Sequence, residues 1–306
     1  MARPFRFGVN MLTIGAAAEW REKCRKAEAL GYDVLLLPDH LGMPAPFPAL
    51  VAAAEATERP RLGTFVLNTG FWNPTLLARE VATADLLTDG RLELGLGAGY
   101  VKAEHDSAGL PFGTRGERVD QLERTVAELD RLLGDPEHVP RSGRRPPLLL
   151  GGNGDRVLRL TARHADIAAF TGAREDASGK LSLISPDALE ERVTAYQGFA
   201  AELAEQPGGT ERTGRAGRTE PAELNYLVQA VDVVADRRAK ARETMRRLPG
   251  LSEDDVLAHP ALLTGSVKEM AEQLRAHRDR FGFSYFTVLD PALEAFGPVI
   301  EELRGA

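Results

Sequence analysis

The chain has 306 residues, 43% of them hydrophobic and 27% charged, enough for one large domain or two small ones with a substantial core. Its 38 basic and 45 acidic residues leave a net charge of −7, which excludes the basic surplus that grips nucleic acid. The single cysteine, Cys24, excludes an internal disulfide and any multi-cysteine metal site, and no apolar run approaches the roughly 18 residues of a membrane span.

The opening stretch MARPFRFGVN lacks the apolar region of a signal peptide and runs straight into a strand, Phe5 to Asn10. A soluble, cytoplasmic protein is therefore expected. Ala17 to Leu30 has helical periodicity and is stopped by Gly31. Val34 to Leu37 is a continuous apolar run, as in a strand buried on both faces. Ala49 to Glu58 is predicted helical and Arg61 to Leu67 a strand. Pro74 suits the first turn of a helix that runs to Thr88, and Asp89-Gly90-Arg91 then turns the chain into the strand Leu92 to Gly97. A long polar connection leads to a helix from about Gly116 to Leu133. Leu148 to Leu150 and Ile167 to Phe170 are strands flanking a helix from Asp155 to Ala165. Pro186 to Glu205 is helical, Leu224 to Val231 a strand, and Asp236 to Arg247 and Val267 to Arg280 are helices. Tyr285 to Leu289 is the last strand and Leu293 to Leu303 the closing helix. Gln206 to Pro221, QPGGTERTGRAGRTEP, has no periodicity and is expected to be a loop.

About eight strand–helix units in this length have the rhythm of a (β/α)8 barrel, and the whole chain, 1–306, is predicted to form one such domain. A doubly wound sheet would carry a G-x-G-x-x-G turn after its first strand, whereas this strand ends in VNMLTIGAA. In a (β/α)8 barrel the active site is built where strands end. The candidates are Asn10, Asp39 and His40, Asn68, the run Gly97-Ala98-Gly99-Tyr100, the run Gly151-Gly152-Asn153, Thr171 and Asp290.

Two readings of Asp39-His40 compete. The carboxylate caps a turn and the imidazole bonds backbone, or both lie beside a bound ligand, with Asp39 setting the tautomer of His40. In LLLGGNGDR, Leu148 to Arg156, a buried strand ends in glycines and opens a helix. Its free N–H groups suit an anion, and Arg156 would clamp it, unless the turn is only a turn and Arg156 faces solvent. Trp72 either walls the pocket or packs. His105, His138, His164 and His259 lack metal-ligand spacing and read as structural, and no metal is expected.

Taken together, several stretches resemble one family. FVLNTGFWNPTLLAREVATADLLTDGRLELGLGAGY, LLLPDHL, LLLGGNGDRVLRLTARHADI and LTGSVKEMAEQLRAHRDRFGFSYFTV are similar to segments of the bacterial-luciferase-like flavin and deazaflavin oxidoreductases. The resemblance implies a (β/α)8 barrel that binds FMN or coenzyme F420, a deazaflavin, and GLGAGYVKAEHDSAGLPFGTRGERV resembles the deazaflavin branch. It places Asp39 and His40 near the reactive ring edge and Phe65 and Val66 at a non-proline cis peptide behind the ring. Asn68, Gly97, Ala98 and Gly99 fall on the third and fourth strand ends beside the cofactor, and Leu150, Gly151 and Gly152 beside its phosphate-bearing tail. Gly152→Val is expected to weaken cofactor binding and leave the fold intact. Asn10, Trp72, Tyr100 and Thr171 would line the substrate pocket. Tyr100 stands where the family's sugar-phosphate dehydrogenases carry a glutamate, so a sugar phosphate is not the expected substrate.

The expected reaction is hydride transfer between F420 and a small organic molecule, as C=C or C=N reduction or alcohol oxidation. His40 would move the proton and Asp39 would orient it. The rival enzyme is an FMN-dependent monooxygenase, and the rival of another class a barrel that only binds cofactor or stabilises a partner subunit. The resemblance also implies a homodimer packed through Ala49 to Glu58 and Pro74 to Thr88.

Overall fold

A computed structural model describes residues 3–135, 137, 140, 145–175, 181–205, 221–248 and 251–305. Eight parallel strands form the central sheet: β1 (Arg6–Asn10), β2 (Val34–Leu37), β3 (Arg61–Thr64), β4 (Leu92–Gly97), β5 (Leu148–Gly151), β6 (Ile167–Phe170), β7 (Glu223–Val228) and β8 (Tyr285–Leu289). The order runs β3-β2-β1-β8-β7-β6-β5-β4, and pairing of Leu62 with Leu92 and Gly63 with Glu93 joins the two ends. The sheet is therefore a closed (β/α)8 barrel, with its helices outside.

Strand alternation sorts the residues into two cores. Phe7, Val9, Leu35, Leu37, Leu148 and Leu150 face outward into the large strand–helix core. Val34, Leu36, Phe65, Leu149, Ile167, Ala169 and Tyr285 fill the barrel interior. Gly8 leaves room there for Tyr285, whose Cε2 would lie 3.0 Å from a Cβ on Gly8. The strand beginnings are closed by charge: Glu93 accepts from Arg6 Nη2 at 2.9 Å and from Arg61 Nε at 2.6 Å, and Glu223 lies 3.4 Å from Arg6. A buried carboxylate of this kind is tolerable only when paired.

The structure departs from the sequence prediction in several places, among them the unpredicted helix Glu253–Ala258 and the antiparallel pair Ala173–Glu175 with Leu181–Leu183. The third strand is not continuous to Leu67; it breaks at a cis Phe65–Val66 peptide and resumes as Leu67–Asn68, paired with Leu96 and Gly97. The seventh strand stops at Val228, and Ala230–Val233 leaves the barrel to pair in parallel with Leu262–Gly265, a strand the sequence reading omitted. The helix predicted at Ala49 to Glu58 runs over Pro46–Ala54, because Pro46 and Pro48 suit a helix start. The long polar connection after β4 contains the helix Lys102–Ala108. The expected loop at 206–221 lies outside the described residues except for Pro221, as does His138. Among the described residues, no helix is long and apolar enough to cross a membrane.

Candidate active site at the barrel mouth

The strand ends converge as the barrel requires. Asn10 ends β1 and is almost fully buried, and its Oδ1 has no hydrogen-bond partner. Beyond β2, Asp39 accepts two bonds on one oxygen, Oδ2: from Trp72 Nε1 at 2.9 Å and from the Asn68 backbone N–H at 3.2 Å. Burial raises its pKa above the usual carboxylate range, and the bonds from Trp72 and Asn68 oppose that rise. Trp72 packs edge-on against Phe47, with ring centroids 5.6 Å apart, so it is both wall and anchor for Asp39.

His40 does not use Asp39 as its orienting partner. Its Nδ1 lies 2.9 Å from Glu104 Oε1, a residue of the helix Lys102–Ala108. The Tyr100 ring meets the imidazole edge-on at 5.8 Å. The carboxylate in contact with the imidazole is thus that of Glu104, whereas Asp39 ties the loop after β2 to the loop after β3. His105, read as structural, also reaches the mouth: its Nε2 is 2.9 Å from Asn68 Nδ2 and its Nδ1 2.9 Å from Pro111 O. A carbonyl only accepts, so Nδ1 carries the hydrogen, Nε2 accepts, and Asn68 donates through Nδ2. Asn68 Oδ1 is left to take the Gly70 N–H at 3.0 Å. The signal for both residues was the Glu104-His105 pair after the fourth strand.

The glycine turns divide into two kinds. Gly97 and Gly99 are glycine because of the chain's own packing: a Cβ would lie 2.7 Å from Val66 Cγ2 at Gly97 and 2.2 Å from Asn68 Oδ1 at Gly99. Gly151 differs. A Cβ there would meet nothing nearer than Val66 Cγ1 at 3.6 Å, an ordinary contact, so the chain's own packing does not require glycine. A glycine that the chain's own packing does not require lets a ligand approach the backbone at the mouth, and the buried, unpartnered Asn10 Oδ1 suits a donor on such a ligand.

Two candidates are placed elsewhere. Arg156 holds Asp120 at 2.8 Å and Glu123 at 2.7 Å on the outer surface, so its guanidinium is committed to carboxylates rather than to a phosphate. The Leu150 side chain points outward into the strand–helix core, so only its backbone belongs to the turn. Ala98 and Thr171 are half-buried beside the β4 and β6 ends. Gly152 has φ +149° and its Cβ would lie 3.0 Å from Val157, so a side chain there strains the turn itself. The expectation that Gly152→Val leaves the fold intact is thus corrected. Asp290 is used structurally, accepting the Leu12 N–H at 3.1 Å and pairing with Lys23. No group of three or more potential metal ligands occurs among the described residues.

A family model described as luciferase-like monooxygenase matches residues 1–285. The chain belongs to that family. Within this luciferase-like family, an uncharacterised protein of Mycobacterium tuberculosis is 26% identical over 174 residues, which is 45% of this chain and 60% of that protein. The F420-dependent glucose-6-phosphate dehydrogenase of Intrasporangium calvum is 27% identical over 297 residues, covering 87% of this chain and 86% of the dehydrogenase. An F420-dependent secondary alcohol dehydrogenase, solved with an F420–acetone adduct, superposes with a TM-score of 0.73 over 97% of both chains at 16% identity, a likeness of fold.

Proposed function

We propose that this luciferase-like enzyme is an F420-dependent oxidoreductase acting on a small, mainly apolar molecule, as a C=C or C=N reductase or, with hydride passing from substrate to cofactor, an alcohol dehydrogenase. The observation that carries the reading is the mouth: a glycine at 151 that the chain's own packing does not require, with His40 held by Glu104. Support for F420 over FMN comes from the dehydrogenase relative that aligns along most of the chain.

When bound, the deazaflavin supplies or accepts a hydride. Phe65, Val66, Gly97 and Gly151 would hold its ring, and the turn Gly151-Gly152 would lie beside its tail. His40, presenting Nε2, would give the substrate a proton in reduction or take one from a hydroxyl in oxidation. Asp39 and Asn68 keep the walls in place, Asp39 through Trp72 and Asn68 through Gly70. The rim supports the proposed substrate class. Four large apolar side chains in the loops after β1, β2 and β4 are exposed: Ile14 at 48%, Leu41 at 50%, Met43 at 40% and Tyr100 at 44%. Clustered exposed apolar groups mark binding surfaces. Such a rim favours an uncharged partner over a sugar phosphate.

The test is an anaerobic assay in which reduced F420 is mixed with an apolar enone, imine or ketone and its reoxidation followed by absorbance. Reoxidation by one of these, and no F420 reduction with glucose 6-phosphate, is the expected result. Turnover that requires FMN and oxygen would overturn the proposal in favour of a monooxygenase.

We also propose a homodimer. Leu76, Leu86 and Leu87 are exposed on the helix Pro74–Leu87, one of the two helices the resemblance assigned to an interface. Sedimentation should show a particle of twice the 33.2 kDa chain mass, and Leu87→Glu should shift it toward the monomer. A 33.2 kDa particle at all concentrations of the unmodified protein would contradict this.

A further inference from the structure

We propose that Glu104 is the positioning residue that fixes which ring nitrogen of His40 faces the reaction. A carboxylate only accepts, so the 2.9 Å contact puts the hydrogen on Nδ1 and leaves Nε2 as the free end of the neutral ring. Both partners are largely withdrawn from solvent, with side-chain exposures of 26% for His40 and 16% for Glu104, which strengthens the contact. Lys102, on the same helix, is engaged with Asp106 at 2.7 Å. The charged and titratable groups facing the imidazole are Glu104, Asp39 and Tyr100, from the loops after β2 and β4 and the helix that follows. Tyr100 sets the ring plane by its edge contact, at 78° between planes.

The same helical turn performs a second fixation by the same logic. His105, next in sequence, orients the Asn68 amide, and Asn68 in turn fills the space over Gly99. One short helix thus orients a mouth residue on each of two other loops. Glu104 itself need not touch substrate; it acts through His40, with Nε2 ready to accept a hydroxyl proton or, once protonated, to return it.

The turnover arm of the test rests on the proposed hydride transfer, whereas the spectroscopic arm needs neither cofactor nor substrate. Long-range 15N–13C correlation of the histidine rings reports the tautomer, and His40→Gln assigns the His40 signal among the six histidines of the chain. The unmodified protein should show His40 as the Nδ1–H form. Glu104→Leu should shift it to the Nε2–H form or a mixture and lower kcat about 10- to 100-fold, with F420 affinity unchanged. Glu104→Met keeps size and helix and is read in the same way if the leucine variant misfolds; Glu104→Asp, which keeps a carboxylate, should keep the Nδ1–H form and part of the turnover. An Nε2–H form in the unmodified protein, or an unchanged tautomer in a folded Glu104→Leu or Glu104→Met variant, overturns the proposal. Absence of any turnover with F420 alongside the expected tautomer change would instead remove the proposed function and leave the role of Glu104 standing.

Discussion

Replacing His40 by glutamine is expected to lower turnover with F420 about a hundred-fold or more while cofactor affinity is kept. Glutamine preserves length and a hydrogen-bonding end but cannot exchange a proton near neutral pH. His40 is well placed for that exchange: Nδ1 is held by Glu104, one ring edge meets Tyr100, and the residue follows Asp39 at the end of β2. Pro38 contributes by ending the regular strand, since it has no N–H to offer the ladder. Asp39→Asn should cost less. An amide oxygen still accepts from Trp72 Nε1 and the Asn68 N–H, so the wall survives, although a buried carboxylate is lost. Steady-state rates and a fluorescence titration of each variant separate the two roles. Lost F420 binding in His40→Gln, with normal turnover of the residual complex, would make the histidine a binding element and move the proton to water or substrate.

Gly151→Ala is expected to leave the fold intact and weaken F420 binding tenfold or more, about 1.4 kcal/mol. The backbone at Gly151 is not in the positive-φ region, so alanine carries no conformational penalty. Its methyl would sit in ordinary contact with Val66, at 3.6 Å. The only occupant it would displace is a ligand. Gly152 offers no such clean separation, because its backbone conformation and Val157 already oppose a side chain. Circular dichroism confirms folding and a cofactor titration reads the effect. A folded Gly151→Ala protein with unchanged affinity would place the ring elsewhere in the mouth.

The barrel was legible in the sequence because each of its strands is a short apolar run ended by glycine or a polar residue. All eight predicted strands occur, in overlapping positions, in the closed sheet. The candidate residues at those strand ends lie round one mouth for the same reason. What the sequence hid is long-range pairing. His40 and Glu104 are 64 residues apart, and nothing local in KAEHDSA marks a helix, since it is short, polar and without apolar period. Arg156 failed in the opposite way. Its position in a helix's first turn is a valid local argument for an anion, but Asp120 and Glu123, on a helix 33 to 36 residues earlier, bind it outside the mouth. The substitution of Glu104 for Asp39 as the imidazole's partner shows the same limit: adjacency in sequence put Asp39 beside His40, whereas the structure directs Asp39 toward Trp72.

Titrating the unmodified protein with oxidised F420 and, separately, with FMN, and following the fluorescence of each, tests whether the barrel mouth beside Gly151 holds a deazaflavin. Saturable binding of F420, tighter than that of FMN, is the expected result. Tight, saturable FMN binding with no response to F420 would contradict it.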